Sequence, residues 1–344
     1  MTPGIRAANI DALCHRHCAF VLYRLPGDSA RFCMAEDGKT LPQPNGSGFI
    51  ISTFEGETRF IPEERTEAPQ AENYPPLSCG TDSETATTRE EYGRNFRRFS
   101  ALLQGEKPLL QKIVLARTAD VTAPGVSPCR SFVQACELFA NTLTVLLHTP
   151  ELGTWLFSTP ELLVEGWDSS WSTMALAGTR PLSSAPWDGK NTREQGIVAD
   201  FIREVLHHHA DTLEESPTES LSNGRIEHLC TRFRFRMEAQ KLPALLQELP
   251  PTPAVCGFPP EQARAMLRDT PDIRRSCYAG YFGPVSRSSA RLYVALRGMR
   301  IFPDFCRLYA GGGIMPDSDE EAEWLETEQK MQNARNTIRC RTDN

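Results

Sequence analysis

The sequence predicts a mixed α+β fold, because segments with strand periodicity and segments with helix periodicity alternate irregularly along the chain. Short apolar runs bounded by Pro and Gly indicate strands, while longer segments with apolar residues at helical spacing indicate helices. A parallel βαβ array would show a regular alternation, which this chain lacks. The chain has 344 residues and 40% of them are hydrophobic, which is enough material for a sizeable core.

The first part of the chain contains two strand candidates and a long loop. Residues 19–23 and 48–51 are short apolar runs separated by Pro and Gly, as expected of strands. Residues 62–88 are rich in Glu, Pro, Thr and Ser and contain few large apolar side chains. This composition predicts an exposed loop.

Helices are predicted where large apolar residues recur every three or four positions. Residues 92–104 place Tyr92, Phe96 and Phe99 on one side, and residues 192–209 form a longer amphipathic segment. Further helix candidates are residues 132–141, 237–249, 260–267 and 320–336. Further strand candidates are residues 112–117, 154–158, 162–165, 172–176, 278–282, 291–296 and 306–310.

The formal net charge of −7 argues against a nucleic-acid partner, since that function needs a clustered basic surface. The most basic segment is residues 225–236, which includes Arg232 and Arg234. It is short and lies within an acidic chain. We therefore predict that it is a solvated face or takes part in structural ion pairs.

Eleven cysteines are scattered along the chain without a CxxC pair, which does not match a disulfide framework. The apolar run at residues 19–22 is interrupted by Arg24, so no leader peptide is predicted. No segment approaches the roughly 18 apolar residues that a membrane span needs. These features predict a cytoplasmic protein with reduced thiols and no membrane association.

Two adjacent C-terminal segments indicate a site for an anionic ligand and a metal. Glu323, Glu326 and Lys330 stand at i, i+3 and i+7, so they share one face of a helix. Two carboxylates one turn apart can hold a hard divalent cation, although such glutamates are more often simply solvated. Three glycines at residues 311–313 follow a strand candidate and allow a ligand to approach the backbone closely.

These segments resemble the chorismate-utilising enzymes, a family that includes isochorismate, salicylate, anthranilate and aminodeoxychorismate synthases. The C-terminal signature of that family is a strand, a GAGI turn and then ExxETxxK, and this chain has GGGI at 311–314 and the second motif at 323–330. The other matching segments, in the family's order, are KIVLAR at 112–117, TPELL at 159–163, LAGT at 176–179, HLCT at 228–231, PTPAV at 251–255 with Gly257, and YAG at 278–280.

The resemblance implies one large α+β domain of two stacked, mostly antiparallel sheets wrapped by helices, with the active site in a cleft. We expect residues 1–344 to form this single domain. Residues 1–100 are the N-terminal part of the fold, which the resemblance constrains only loosely, and residues 101–336 contain the catalytic motifs.

The resemblance also implies a Mg²⁺ site and a pair of catalytic residues. The metal ligands would be Glu194 and Glu326, with Glu323 either binding through water or orienting the site. Lys112 would act as general base on a water molecule, and Glu161 would protonate the departing hydroxyl from the opposite face. A neutral lysine and a protonated Glu161 are both required, and the apolar neighbours of Glu161 favour its protonated form.

The remaining family positions are expected to contact the substrate through side chains or backbone amides. Arg297 suits a carboxylate because its guanidinium can donate two parallel hydrogen bonds. His228 either orients the substrate or is a satisfied structural group. The expected substrate contacts are Ala177, Gly178, Thr179, His228, Arg297, Tyr309, Gly312, Gly313 and Lys330.

Two positions depart from the family pattern. Gln195 follows Glu194 where a histidine is usual, and Pro250 precedes the Pro-Thr-Pro-Ala run where many members have histidine. Both carboxylates expected to bind the metal are kept despite these changes. The departures concern fine positioning within the site.

The presence of Lys112 favours an isochorismate synthase, which isomerises chorismate by adding water at C2 and losing the C4 hydroxyl. Salicylate synthase uses the same lysine and remains the nearest alternative. Anthranilate and aminodeoxychorismate synthases fit less well, because ammonia needs no lysine base, and a non-catalytic relative would not need all four acid, base and metal residues. We expect a monomer without a glutaminase subunit that serves menaquinone synthesis, with a siderophore pathway as the alternative.

Overall fold

The computed structural model describes residues 7–77, 85–182, 185–223, 226–270 and 275–341. The helices are α1 (Ala7–Leu13), α2 (Arg89–Leu102), α3 (Pro128–Leu138), α4 (Gly189–His209), α5 (Leu242–Glu248), α6 (Pro260–Arg268) and α7 (Glu320–Arg335).

The strands are β1 (Phe20–Arg24), β2 (Arg31–Met34), β3 (Gly48–Ser52), β4 (Thr58–Pro62), β5 (Lys112–Thr122), β6 (Leu143–Thr149), β7 (Gly153–Thr159), β8 (Leu162–Trp167), β9 (Ser170–Pro181), β10 (Thr212–Glu215), β11 (Glu219–Asn223), β12 (Ile226–Arg236), β13 (Gly257–Phe258), β14 (Tyr281–Val285), β15 (Ser289–Val294), β16 (Gly298–Ile301) and β17 (Phe305–Ile314).

Within the described residues, the strands form two large antiparallel sheets. The eight-stranded sheet has the order β13-β5-β17-β16-β7-β6-β1-β2. The nine-stranded sheet has the order β10-β12-β9-β8-β15-β14-β3-β4, and β11 also pairs with β12. Strands β1 and β2 belong to one sheet and β3 and β4 to the other, so the N-terminal segment completes both sheets. The predicted α+β class and its antiparallel sheets are confirmed.

The main hydrophobic core lies between the two sheets. Phe157 on β7 contacts Phe282 on β14 across the interface, with ring centroids 5.1 Å apart, and Tyr23 on β1 contacts Phe49 on β3 at 5.0 Å. A second core on the outer face of the eight-stranded sheet includes Phe20 and is covered by α1 and α3. Burial of these side chains is the dominant favourable term for the fold.

Helices α4 and α7 carry the expected metal ligands, and both begin at well-formed caps. The Asp188 side chain accepts a hydrogen bond from the backbone of Asn191, and the Asp319 side chain accepts one from Ala322. Such caps satisfy backbone N–H groups that the first turn leaves without partners. They fix the start of each helix and therefore the phase of its side chains.

Most predicted elements are confirmed, with shifts at their ends. The helix expected at 132–141 begins at Pro128, because Ser127 caps it and proline suits the first helical turn. The helix expected at 237–249 is helical only from Leu242 to Glu248, after a 3₁₀ turn at Ala239–Lys241. Helix α1 occupies part of a region that had suggested strands only.

The basic segment and the loop are also located by the structure. Residues 226–236 form β12, with Phe233 and Phe235 buried and Arg234 and Arg236 exposed, so the arginines form a solvated face as predicted. Arg225 lies outside the described residues. In the part of the loop that is described, residues 63–67 are exposed and Ala71–Asn73 form a 3₁₀ turn.

Two further sequence predictions concern the thiols and the membrane. Ten cysteines lie within the described ranges and all ten are free, while Cys79 falls outside them. Across the described residues, no helix is both long enough and apolar enough to span a bilayer.

Candidate active site

A cavity beside the glycine-rich strand β17 brings together most of the residues expected to contact substrate. Those on its wall are Glu161, Ala177, Gly178, Thr179, Glu194, His228, Arg297, Tyr309, Gly313 and Lys330. Four expected residues are not on the wall. Lys112 and Glu326 pair with the wall residues Glu194 and Lys330, and Gly312 precedes Gly313. Glu323 lies behind Gly312. The structure therefore places all the expected site residues in one region of the fold.

A β-bulge shapes the wall opposite the glycine strand. Between β9 and β12, Gly178 and Thr179 together face the single residue His228, because the register shifts between Glu227 and Leu229. Gly178 adopts φ +66°, a conformation that glycine reaches without steric cost. Bulges of this kind redirect side chains and are common beside active sites.

His228 is held as a neutral, singly protonated ring. Its Nε2 lies 3.0 Å from Nη2 of Arg297, which can only donate, so Nε2 accepts. Its Nδ1 therefore carries the proton and donates to the carbonyl of Gly178 at 2.9 Å. Burial, followed by the charge of Arg297, lowers the pKa of His228 to about 3. His228 thus orients Arg297 and does not act as an acid near neutral pH.

Arg297 is built to receive an anion. It is buried and its φ is +55°, an uncommon conformation for a residue with a side chain. Among the described residues, its Nη1 has no hydrogen-bond partner. A buried donor without a partner costs free energy unless a ligand satisfies it. The side chain lines the cavity, where a carboxylate could accept from Nη1.

Glu161 is suited to hold a proton. It is buried, and this burial raises the pKa of its carboxyl group to about 7 against the opposing charges of Lys112, Arg297 and Lys330. A carboxylic acid with such a pKa can donate a proton at neutral pH. The sequence prediction of a protonated acid at this position agrees with this environment.

Three lysine–glutamate pairs form a charge cluster at one end of the cavity. Lys112 Nζ lies 2.9 Å from Glu194 Oε1, and Lys330 Nζ lies 2.6 Å from Glu326 Oε1. Lys190, which the sequence analysis did not select, pairs with Glu323. We call these six residues the charge cluster. Its formal charges cancel, so the buried carboxylates of Glu194 and Glu323 and the half-buried one of Glu326 are each balanced by a lysine.

The charge cluster is compact enough for its members to act on one another. Burial alone would raise the pKa of Glu194. The pKa is nevertheless lowered, because the charges of Lys112 and, to a smaller extent, of Lys190 and Lys330 together outweigh the effect of burial. Burial and then the neighbouring Glu326 raise the pKa of Glu323. Glu194 on α4 and Glu326 on α7 therefore have Lys330 as a shared neighbouring cation.

Members of the charge cluster lie on both faces of the glycine strand. A Cβ atom at Gly313 would be 2.2 Å from Glu194 Oε1 and 2.8 Å from Lys112 Cε, and one at Gly312 would be 2.6 Å from Glu323 Oε2. Successive strand residues face opposite sides. Gly313 therefore faces the cavity, whereas Gly312, which was expected there, faces α7.

A buried arginine fixes α7 against β5. Arg117 Nε donates to Thr327 Oγ1 at 2.5 Å, its guanidinium pairs with Glu328, and its Cζ lies 3.7 Å from the ring centroid of Trp324. Arg117 is in the same strand as Lys112. This contact therefore sets the position of Glu326 relative to Lys112 and explains why the threonine of the C-terminal motif is buried.

The two departures from the family pattern lie off the cavity wall. Gln195 Nε2 donates to the carbonyl of Ala175 and to Thr231 Oγ1, both at 3.1 Å, and so ties α4 to β9 and β12. The carbonyl of Pro250 accepts from Arg264 Nη2 at 3.4 Å. Both residues have structural contacts here, and neither lines the cavity.

Several cavity residues had no assigned role in the sequence analysis. Tyr278, whose ring stacks on Tyr309 with centroids 5.6 Å apart, lies in the YAG segment, and Val114 lies in the KIVLAR segment. Their segments marked them, but only the fold shows which residues face inward. Lys190 had a weaker signal, because it stands one helical turn before Glu194.

Comparison with known proteins identifies the family. A sequence model for the chorismate binding enzyme family matches residues 55–339. The chain is 29% identical over 272 residues to isochorismate synthase MenF of Escherichia coli (strain K12). This alignment covers 73% of this chain and 62% of that protein. It is 32% identical over 240 residues to the chloroplastic isochorismate synthase of Catharanthus roseus. That alignment covers 64% of this chain and 41% of the plant protein. The chain thus spans less than two thirds of these relatives.

A solved structure shares the fold of this chain. The solved structure of MenF, the menaquinone-specific isochorismate synthase from Escherichia coli, superposes with a TM-score of 0.78 at 22% identity, covering 95% of this chain and 90% of that one. At this identity the likeness concerns the fold alone. The family model spans most of the chain and includes every expected site residue. The chain belongs to the chorismate binding enzyme family.

Proposed function

We propose that this chain is an isochorismate synthase, an isomerase that adds water at C2 of chorismate and releases the C4 hydroxyl. The observation that carries the proposal is the cavity itself. In it lie a buried acid, Glu161, and Arg297, whose Nη1 has no partner among the described residues, beside the Lys112–Glu194 pair. The two relatives compared above, from Escherichia coli and Catharanthus roseus, are named isochorismate synthases, which supports it.

The cavity is suited to a small dianion such as chorismate. Arg297 provides a buried guanidinium, and Lys330, whose Nζ donates to the carbonyl of Gly311 at 2.8 Å, provides an ammonium on the cavity wall. Charge-assisted hydrogen bonds to a carboxylate are stronger than neutral ones. Arg297 would hold one substrate carboxylate, and Lys330 would lie near the other.

The donor set fits Mg²⁺. Among the described residues, no three His, Cys, Asp or Glu side chains converge on a common point, but Mg²⁺ in enzymes is usually held by one or two carboxylates, waters and substrate oxygens. Glu194 and Glu326 would hold the ion. When bound, Mg²⁺ would supply a positive charge that stabilises the second carboxylate of the substrate.

Glu161 and Lys112 would carry out the proton transfers. Glu161 holds a proton below about pH 7 and can give it to the departing C4 hydroxyl. In the described arrangement Lys112 Nζ lies 2.9 Å from Glu194 Oε1. Glu194 has to move away from Lys112 before that lysine can accept a proton from water. This separation would be possible once Glu194 holds a divalent cation.

We expect the pH dependence of the reaction to reflect Glu161. Its raised pKa means that the protonated fraction falls as the pH rises through about 7, so kcat/KM for chorismate should decrease above that pH. The E161Q variant should have low activity, and its kcat/KM should not show this decrease with rising pH. A wild-type profile that stays level from pH 6 to 9 would contradict the assignment of Glu161 as the acid.

Replacement of Gly313 by alanine is expected to lower kcat/KM by about a hundredfold, since displacing catalytic groups by about 1 Å can have that effect. The added methyl would overlap Glu194 and Lys112. Gly196 on α4 has no atom within 4 Å of a Cβ added there, so G196A is the matched control. Equal activity of G313A and G196A would show that the close approach at Gly313 does not matter.

The proposed reaction is tested by incubating the purified protein with chorismate and Mg²⁺ and separating the products by chromatography. The proposal predicts isochorismate in equilibrium with chorismate and no requirement for ammonia. Salicylate with pyruvate would identify a salicylate synthase instead. Anthranilate or aminodeoxychorismate formed with ammonia would place the chain in those branches, and no conversion would indicate a binding protein.

The biological setting is part of the same proposal. We assign the product to menaquinone synthesis, with a siderophore pathway as the alternative, and place the protein in the cytoplasm, in line with its free thiols. We also propose a monomer that acts without a glutaminase, nucleic acid or membrane partner. In this view residues 1–344 form one domain, with the catalytic motifs in residues 101–336.

A further inference from the structure

Lys190 occupies a position in the charge cluster that the catalytic proposal does not use. It lies on α4 one turn before Glu194, and its ammonium pairs with Glu323 on α7. This pair places an ammonium group directly beside a carboxylate of the proposed metal site.

Glu323 differs from the other two carboxylates in how its oxygens are used. Its Oε1 accepts from both Lys190 and Ser318 Oγ, the latter at 2.8 Å. Its Oε2 is buried beside Gly312 and has no hydrogen-bond partner among the described residues. One oxygen is therefore committed to Lys190, and the other is free to accept a hydrogen bond from a water molecule on the metal.

The three lysines of the charge cluster also differ in accessibility and contacts. Lys112 is fully buried, and Lys330 lines the cavity. The proposed function uses Lys112 as the general base and Lys330 as a contact for a substrate carboxylate. Lys190 has no place on the cavity wall, and 24% of its side chain is exposed. Its position at the outer side of the cluster suits it to act on the carboxylates and not on the substrate.

We propose that Lys190 is a positioning residue, which holds Glu323 back from the metal and keeps the affinity of the substrate-free site for Mg²⁺ low. With Lys190 in place the six charges cancel, so a divalent cation gains little on entering alone. The two carboxylates of chorismate then supply the missing negative charge, which makes metal and substrate binding mutually favourable. This inference rests on the proposed function.

The experiment measures the affinity for Mn²⁺, an oxygen-seeking substitute for Mg²⁺, in the substrate-free protein by electron paramagnetic resonance. Compared with the wild type, K190Q should bind Mn²⁺ about tenfold more tightly, because a nearby positive charge is lost and Glu323 is released. Lys241, in an exposed pair with Asp211 at 3.5 Å, provides the control K241Q, which should leave the affinity unchanged.

A second comparison does not depend on the folding of K190Q. The variant E323Q should bind Mn²⁺ about tenfold more weakly than the wild type, because the charge of Lys190 is no longer balanced. The double variant K190Q/E323Q, in which two amides can still form a hydrogen bond, should recover the lost affinity. Equal affinities of E323Q and the double variant, or of K190Q and the wild type, would overturn the role of Lys190.

The outcomes separate this inference from the proposed function. A wild type that converts chorismate with Mg²⁺ while K190Q has unchanged Mn²⁺ affinity would contradict only the role of Lys190. A wild type that binds no Mn²⁺, with or without chorismate, would contradict the metal site itself and this inference with it.

Discussion

Replacement of Lys112 by alanine is expected to lower kcat for chorismate conversion by about a thousandfold, within the range that a general base contributes. Lys112 is fully buried and contacts Glu194, which lines the cavity. No other amine in the charge cluster can replace it, because Lys330 is held by Glu326 and Gly311 and Lys190 is held by Glu323. The affinity for chorismate should change by less than about fivefold.

The experiment compares steady-state rates with equilibrium binding for K112A, K112Q and K107A. Lys107 is exposed in the loop between α2 and β5, so K107A controls for loss of a lysine outside the site. Since K112A leaves the buried Glu194 unpaired, a loss of about 3 kcal/mol in unfolding free energy is expected, and thermal denaturation checks that the variant is folded. Near-normal kcat in folded K112A would remove Lys112 from the mechanism.

The E194Q variant is expected to lose at least about a hundredfold in activity and to bind Mn²⁺ much more weakly, because an amide oxygen lacks the charge that Mg²⁺ prefers. Glu194 is buried beside Gly313, with its carboxylate at the wall of the cavity. Excess Mg²⁺ should restore part of the activity if the defect is in metal binding.

Glu204 lies on the exposed face of the same helix, so E204Q is the matched control for E194Q. Calorimetric titration with Mn²⁺ gives the affinity without relying on turnover. If E194Q bound Mn²⁺ as tightly as E204Q did, Glu194 would not be a ligand, and the pairing of Glu194 with Lys112 would have to be purely structural.

Segments with strong local signals were predictable from the sequence. Helix α4 has a long amphipathic pattern and a capping aspartate, and β17 combines a strand run with three glycines. Strand β6 was missed because all seven of its residues are buried, so it lacks the alternation that marks a half-buried strand. The pairing of strands into two sheets depends on contacts between distant residues, which periodicity does not encode.

The candidate site was predictable as a set of residues but not as an arrangement. The motifs marked Lys112, Glu194 and Glu326, and the structure brings them together through α4, α7 and the β5–β17 pairing. The motifs could not show which of Gly312 and Gly313 faces the cavity, because this depends on the register of β17 against β5. The role of Lys190 also escaped, because a lysine near a helix start is usually solvated.

The central claim is that one divalent ion binds between Glu194 and Glu326 and that Lys112 is then free of Glu194. It is tested most directly by anomalous diffraction from crystals grown with Mn²⁺ and chorismate. The account predicts one strong anomalous peak within coordination distance of a carboxylate oxygen from each glutamate, and Lys112 Nζ directed into the cavity. A peak bound by only one of the two glutamates, or no peak with substrate in the cavity, would contradict it.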